Sequence, residues 1–357
     1  MKLQRLLIFF SCLFIFSTHL TASIDLEKRS QDFVLETKKI EIPGHPHAFN
    51  PSIVRWQGSL LMSFREIPIW SPTDPCGPNS SSFTQIGLVW LDEDLNPIGS
   101  PQILSPEFPV IASTRFSRSE DARLVTIGEC LYIVNSDNKD RIVKEGGFRM
   151  YYAQVDFDGE KFLLHNADRL IHFEGENPHR REKNWAPFDY YGNMLLSYSL
   201  SPHRVLRPIF GTGECETFAQ SQESIDWNWG ELRGGTPALK LNEDQYLAFF
   251  HSCMNMATSH SDEKSILHYF IGAYTFSSEP PFEIQQISPE PIVAKGFYNG
   301  ITYKPYWKPV RVVFPCGYVQ DNDYIWLSYG RQDHEMWVAK LDKRALLDSL
   351  VPVSSKE

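Results

Sequence analysis

Leu60-Leu61-Met62-Ser63-Phe64, Cys130-Leu131-Tyr132-Ile133-Val134, Met194-Leu195-Leu196-Ser197-Tyr198, Tyr246-Leu247-Ala248-Phe249-Phe250 and Ile325-Trp326-Leu327-Ser328-Tyr329 are variants of one short, apolar, aromatic-tipped strand. Each follows an opening of turn-forming residues. These openings are Asn50-Pro51-Ser52-Ile53, Glu120-Asp121-Ala122-Arg123-Leu124, Asn184-Trp185-Ala186-Pro187-Phe188, Gly235-Thr236-Pro237-Ala238 and Phe314-Pro315-Cys316-Gly317. Five such units, roughly 50 to 80 residues apart, suit propeller blades better than the ~10-residue cadence of a sandwich. Further β-rich runs lie between them: Ile86–Leu91, Arg149–Val155, Tyr269–Phe276, Val310–Phe314 and Met336–Leu341. Only Asp342 to Leu350 reads as a helix. The expectation is an all-β chain, a five-bladed β-propeller with a short C-terminal helix.

The chain's first residues carry a different message. Lys2 and Arg5 precede an apolar run from Leu6 to Phe16, and Thr21-Ala22-Ser23 offers a cleavage neighbourhood. That is the layout of a secretory signal peptide, and the run falls short of the ~20 residues that span a bilayer. A signal peptide over residues 1–23 and one propeller domain over 24–357 are therefore expected, with an uncleaved anchor as the alternative. The destination is export: secreted, periplasmic or in a secretory lumen.

The formal charge is −10, and removing Lys2 and Arg5 takes it to −12. So acidic a chain has no electrostatic footprint for phosphate backbones, which argues against a nucleic-acid partner. Five cysteines remain beyond Cys12: Cys76, Cys130, Cys215, Cys253 and Cys316. They are far apart and show neither a zinc spacing nor a disulfide framework. Asn79-Ser80-Ser81 is a glycosylation sequon if the route is eukaryotic. Aromatics make up 13% of the chain, and several of its nine tryptophans adjoin Asn, Asp or Arg. Sugar faces stack on such rings, although core packing is their commoner role.

In a propeller the openings converge on one mouth of the axial channel. They would bring Asn50, Arg65, Glu120, Asp121, Arg123, Glu182, Lys183, Arg233, His251, Tyr329, Arg331 and Asp333 together. Carboxylates, cations and an imidazole in one concave site are what glycoside cleavage or transfer needs: an acid for the departing oxygen and a group that supplies or positions the nucleophile. Burial beside a second carboxylate would raise one pKa enough to retain a proton near neutrality. Each residue also has an ordinary reading. Glu120, Asp121 and Arg123 make a local salt bridge, Lys183 an exposed loop lysine, His251 a core histidine and Asp333 a turn aspartate.

The same blocks resemble those of the five-bladed β-mannoside phosphorylases and hydrolases, glycoside hydrolase family 130, and the related mannosyltransferase-phosphorylases. The resemblance runs over about residues 47–341. Phe49-Asn50-Pro51-Ser52 is similar to the family's first turn, and Glu120-Asp121-Ala122-Arg123 to its "EDPR". Lys183 to Phe188 is similar to its lysine turn, Gly235 to Ala238 with Phe250-His251 to its "GTPP…YH", and Arg311 to Gly317 with Ser328 to Asp333 to its last blade.

The resemblance implies Asp121 as general acid, with Asn50 and Asp333 holding the sugar's hydroxyls. Arg65, Glu120, Arg123, Lys183 and Tyr329 join them as substrate-binding candidates. Arg149, Lys183 and His251 are implied around phosphate or the attacking group. No metal or cofactor is implied, inorganic phosphate apart as a co-substrate. Ala122 stands where the family has proline, which would loosen the turn. Arg331-Gln332 stand where it has alanines, which would make the pocket narrower or more cationic. Ser201-Pro202-His203-Arg204 adds basic groups without an assigned role. Hydrolysis or phosphorolysis of β-mannosides is the leading reading. A lumenal glycosyltransferase and a non-catalytic sugar- or protein-binding propeller are the alternatives.

Overall fold

In the computed structural model, the described residues are 24–67, 84–104, 119–137, 148–170, 174, 181–300 and 309–353. The signal peptide, Cys76 and the Asn79 sequon lie outside them. The strands assemble into five sheets, the blades of a β-propeller. The first blade is Ala48–Trp56, Ser59–Glu66, Gln85–Leu91 and Pro97–Leu104; the second is Glu120–Ile127, Cys130–Asp137, Arg149–Phe157 and Phe162–Leu170. The third is Ala186–Tyr190, Asn193–Leu200, His203–Ile209 and Glu214–Gln220.

The fourth is larger. Arg233–Gly234 and Leu239–Lys240 both pair with Gln245–Met256, followed by Ile266–Ser277, Ile284–Ile287 and, at the edge, Val351–Pro352. The fifth blade runs Val313–Gln320, Tyr324–Arg331 and Glu335–Asp342, and its fourth strand is Val34–Ile40 from the beginning of the chain. This exchange closes the ring with backbone hydrogen bonds rather than leaving an open edge.

The repeated strand reads as continuous apolar residues because neighbouring blades cover both its faces. Leu60 to Phe64 and Tyr246 to Phe250 are buried without a break. The C-terminal helix is Lys343–Ser349, capped by Asp342, whose Oδ1 accepts from Ala345 N at 2.8 Å. The run Val310–Phe314 is not one strand. Val310–Arg311 adds in parallel to Ile266–Ser277 in the fourth blade, and Val313 begins the fifth.

Three of the openings, Asn50 to Ile53, Glu120 to Leu124 and Phe314 to Gly317, are also not turns but parts of innermost strands; Asn184-Trp185 lead into one, and Gly235 to Ala238 joins Arg233–Gly234 to Leu239–Lys240. Pro51, Asp121 and Cys316 sit in bulges, where register shifts between Phe49 and Ser52, between Glu120 and Arg123, and between Pro315 and Gly317. A bulge lets turn-forming residues sit inside a ladder and re-aims a side chain. Asn50 and Asp121 adopt φ of 50° and 51° there, the left-handed region that Asn and Asp tolerate better than most residues.

Candidate active site

The innermost strands begin, and the second strands end, around one cavity of about 1120 Å³. Asn50 and Arg65 come from the first blade, Glu120 and Asp121 from the second and Lys183 from the approach to the third. Arg233 and His251 come from the fourth and Asp333 from the fifth, and all of them line the cavity.

At its floor, Asp121 Oδ1 accepts from Asn50 Nδ2 at 2.7 Å and from Arg65 Nη1 at 3.2 Å. Arg65 Nη2 lies 2.9 Å from Glu120 Oε1, and Lys183 Nζ donates to Glu120 Oε2. Lys183 also sits 3.7 Å above the Phe148 ring, and Arg65 5.0 Å from that of Phe49. Burial alone pushes the Asp121 carboxyl up. Arg65, the Asn50 hydrogen bond, Lys183 and Arg123 outweigh it and hold its pKa below the ordinary carboxylate value. The expected protonated acid is thus replaced by a carboxylate.

His251 differs from the cation that phosphate would call for. Its Nδ1 donates to Gly234 O at 2.9 Å, its ring stacks on Tyr269 at 5.8 Å, and Phe314 meets it edge-on at 4.7 Å. Burial first, then the charge of Arg123, drives its pKa down to about 3. The imidazole is therefore neutral, with the Nδ1 proton committed to the backbone and Nε2 left as a hydrogen-bond acceptor.

Three candidates belong elsewhere. Arg123 is buried behind the cavity, donating to Gly235 O, to Asp121 O at 2.9 Å and to Asn184 Oδ1 at 3.2 Å. It ties the second blade to the third and fourth. Arg149 is buried within the second blade opposite Asp137 and donates to Phe148 O at 2.8 Å. Tyr329 packs in the core, its ring 4.7 Å from that of Phe297.

The departures from the family pattern also resolve. Ala122 does not loosen the bulge: Asp121 O is held by Arg123, Ala122 O by Ser63 Oγ at 3.2 Å, and Leu124 N by Ser52 Oγ at 3.1 Å. Arg331 turns away from the cavity onto Glu335, at 2.7 Å, and Gly296 O, at 2.8 Å. Gln332 Oε1 accepts from Val312 N at 2.9 Å. Neither narrows the pocket or charges it. His203 is a core group whose Nε2 and Nδ1 meet Ser197 Oγ and Phe282 O, at 2.9 and 2.7 Å.

Arg204 does reach the cavity wall, as do Tyr198, the tip of the third repeat strand, and Trp227, which lies outside the repeat. Tryptophan beside Asp and Asn, as in Asp226-Trp227-Asn228, was the available signal. Among the described residues no group of three or more His, Cys, Asp or Glu is placed to hold a metal ion.

Gly330 explains how Asn50 reaches Asp121. A Cβ there would stand 1.7 Å from Asn50 Oδ1 and 3.0 Å from its backbone N. Gly330→Ala is expected to expel the Asn50 side chain and cost about 1–3 kcal/mol in stability. It should also lower turnover at least tenfold, because Asp121 loses a donor. Thermal denaturation together with a kinetic assay checks both effects.

No family profile matches the chain. Among solved structures, a β-1,2-mannobiose phosphorylase from Listeria innocua superposes with a TM-score of 0.57 at 17% identity, over 90% of this chain and 95% of that one. A mannose phosphorylase from Leishmania mexicana, solved with a phosphate ion, gives 0.56 at 13%, over 92% and 94%. The fold is that of the mannoside phosphorylase propellers. A GDP-mannose-dependent mannosyltransferase from Leishmania mexicana shares it too, with a TM-score of 0.56 at 12% identity over 88% and 91%.

In sequence, β-mannosyltransferase 3 of Candida albicans is 29% identical over 148 residues, 38% of this chain and 27% of that protein. β-Mannosyltransferase 4 of Komagataella phaffii is 24% identical over 213 residues, 57% and 39%. The matched segments thus cover well under half of those relatives' length. Among the described residues no helix is long and apolar enough to cross a membrane.

Proposed function

We propose that this protein makes or breaks β-mannosidic bonds, with Asp121 carrying the proton to or from the bridging oxygen. The observation that carries the reading is the buried Asp121 carboxylate, gripped by Asn50 and Arg65 on the floor of a cavity that five blades surround. Such a group, held against its surroundings, is a functional-site signature. A resting carboxylate is a base. It suits removal of the proton from an acceptor hydroxyl, and so bond formation, and the two yeast relatives named as β-mannosyltransferases favour the same direction.

A second reading, cleavage, rests on His251. Its uncharged Nε2 suits holding an attacking water through an accepted hydrogen bond better than it suits binding phosphate. Asn50 and Asp333 would hold the reacting sugar, while Arg65, Glu120 and Lys183 set the charge of the floor. The basic start and apolar run of residues 1–23 support action in a secretory compartment or outside the cell.

One incubation series separates the directions. Mannose 1-phosphate or a nucleoside-diphosphate mannose with a mannoside acceptor yields an extended product if the protein transfers. β-Mannobiose yields free mannose if it hydrolyses, or mannose 1-phosphate in the presence of phosphate if it phosphorolyses. Mannoside binding with no product in any arm points to a sugar-binding propeller, and neither binding nor turnover removes the mannoside assignment.

A further inference from the structure

Apart from the residues around Asp121, the cavity is lined between the third and fourth blades by Tyr198, Arg204, Gln220, Ile225, Trp227 and Leu232. At about 1120 Å³ the cavity exceeds the ~300–1,000 Å³ that accommodates a drug-sized ligand, so a single sugar ring leaves most of it unfilled.

The chemistry of the wall is distinctive. Trp227 is half-buried; its indole N–H donates to Ser252 Oγ at 2.8 Å and its ring abuts Phe250 at 4.9 Å, so the surface it can offer is ring carbon. Tyr198 is braced by Trp185 at 5.3 Å and by the Arg204 guanidinium 5.4 Å from its centroid. Arg204 is itself anchored to Thr217 Oγ1, at 3.0 Å from Nε, and to Glu174 O at 2.6 Å. At this rim Arg233 pairs with Glu231 at 2.6 Å.

Rigid ring carbon, two aliphatic side chains and an amide make an amphipathic surface. It fits a ligand with C–H faces and neutral hydroxyls; a diphosphate would have to draw the Arg204 guanidinium away from Thr217 Oγ1 and Glu174 O.

Building on the mannoside reading, we propose that the Tyr198–Trp227 wall is an extended subsite that binds the distal sugars of an oligosaccharide, with Trp227 as its stacking platform. The protein then selects for chain length: each sugar beyond the reacting pair adds contact against this wall.

Calorimetric titration of the mature protein with β-mannooligosaccharides of two, three and four units tests this. Affinity should rise about tenfold from two units to four, the size of one aromatic contact. In Trp227→Ala that ratio should collapse to near one, and Trp227→Phe, which keeps a ring, should restore most of it. A flat chain-length dependence in the wild type, or an unchanged ratio in Trp227→Ala, overturns the subsite while leaving the mannoside reading in place. Tighter binding of a nucleoside diphosphate than of the tetrasaccharide, lost in Trp227→Ala, reassigns the wall and also overturns the proposal. Failure to bind any mannoside, whatever its length, removes the underlying reading and the subsite with it.

Discussion

Asp121→Asn is expected to reduce turnover of an unactivated mannoside by a factor of about 10²–10⁴, the usual contribution of a positioned acid or base. The substitution keeps the shape of the side chain, and its Oδ1 still accepts from Asn50 and Arg65. Arg65 also keeps Glu120 as a counter-charge at 2.9 Å, so the cavity is not left with an unpaired buried cation. The fold should therefore survive, which circular dichroism and a thermal melt would establish.

A loss of activity alone does not prove proton transfer, but the leaving group does. An aryl β-mannoside expels a weakly basic phenolate that hardly needs protonation. Its cleavage should suffer far less in Asp121→Asn than cleavage of a disaccharide. Equal losses on both substrates would show that Asp121 positions the sugar without carrying a proton. Full activity on both would remove it from the chemistry.

The blades could be read in the sequence because the physics that makes them is local and loud. Strands covered on both faces show as unbroken apolar runs, and Leu60 to Phe64 or Tyr246 to Phe250 leave little choice. The innermost strands were harder. Asn50-Pro51 and Asp121 carry turn chemistry, and only the finished blade shows that a bulge absorbs it within a ladder. The site was legible where polar residues recur at matching points of the repeat, as at Asn50 and Asp121.

It was misread where a charge is satisfied by distant backbone. Arg123 looks like a pocket cation until its guanidinium meets Gly235 O, 112 residues away. The raised acid was misjudged for a related reason. Two adjacent carboxylates suggest a shared proton, whereas the cations that prevent it, Arg65 and Lys183, come from other blades. Trp227 itself lies on a loop between blades and so has no counterpart in the repeat to announce it.

Acid should unfold this protein well before carboxylate protonation alone would do so. His203 and His251 are both buried as neutral rings; burial, the main cause in each, lowers their pKa to about 4 and about 3 from an ordinary 6.5. A depressed native pKa fixes the sign. Above about pH 6.5 neither the native nor the unfolded chain holds the proton, and the contribution to stability is complete. As pH falls below that value the unfolded chain takes up protons that the native chain refuses, and stability is lost progressively toward the native pKa.

By pH 4 each ring should cost about 3 kcal/mol, which is large against a typical total of 5–15 kcal/mol. Asp121, also depressed, adds to the loss in the same direction at lower pH. The melting temperature should accordingly drop by at least about 10 °C between pH 7 and pH 4.

His203→Gln isolates one contribution. An amide in that position can still meet Ser197 Oγ and Phe282 O but takes up no proton, so the melting curve should depend less steeply on pH between 6.5 and 4. If the wild type melts at the same temperature throughout that range, the two imidazoles are not held neutral. The assignment of His251 Nε2 as an acceptor would then fall with them, and with it the case for water over phosphate at that wall of the cavity.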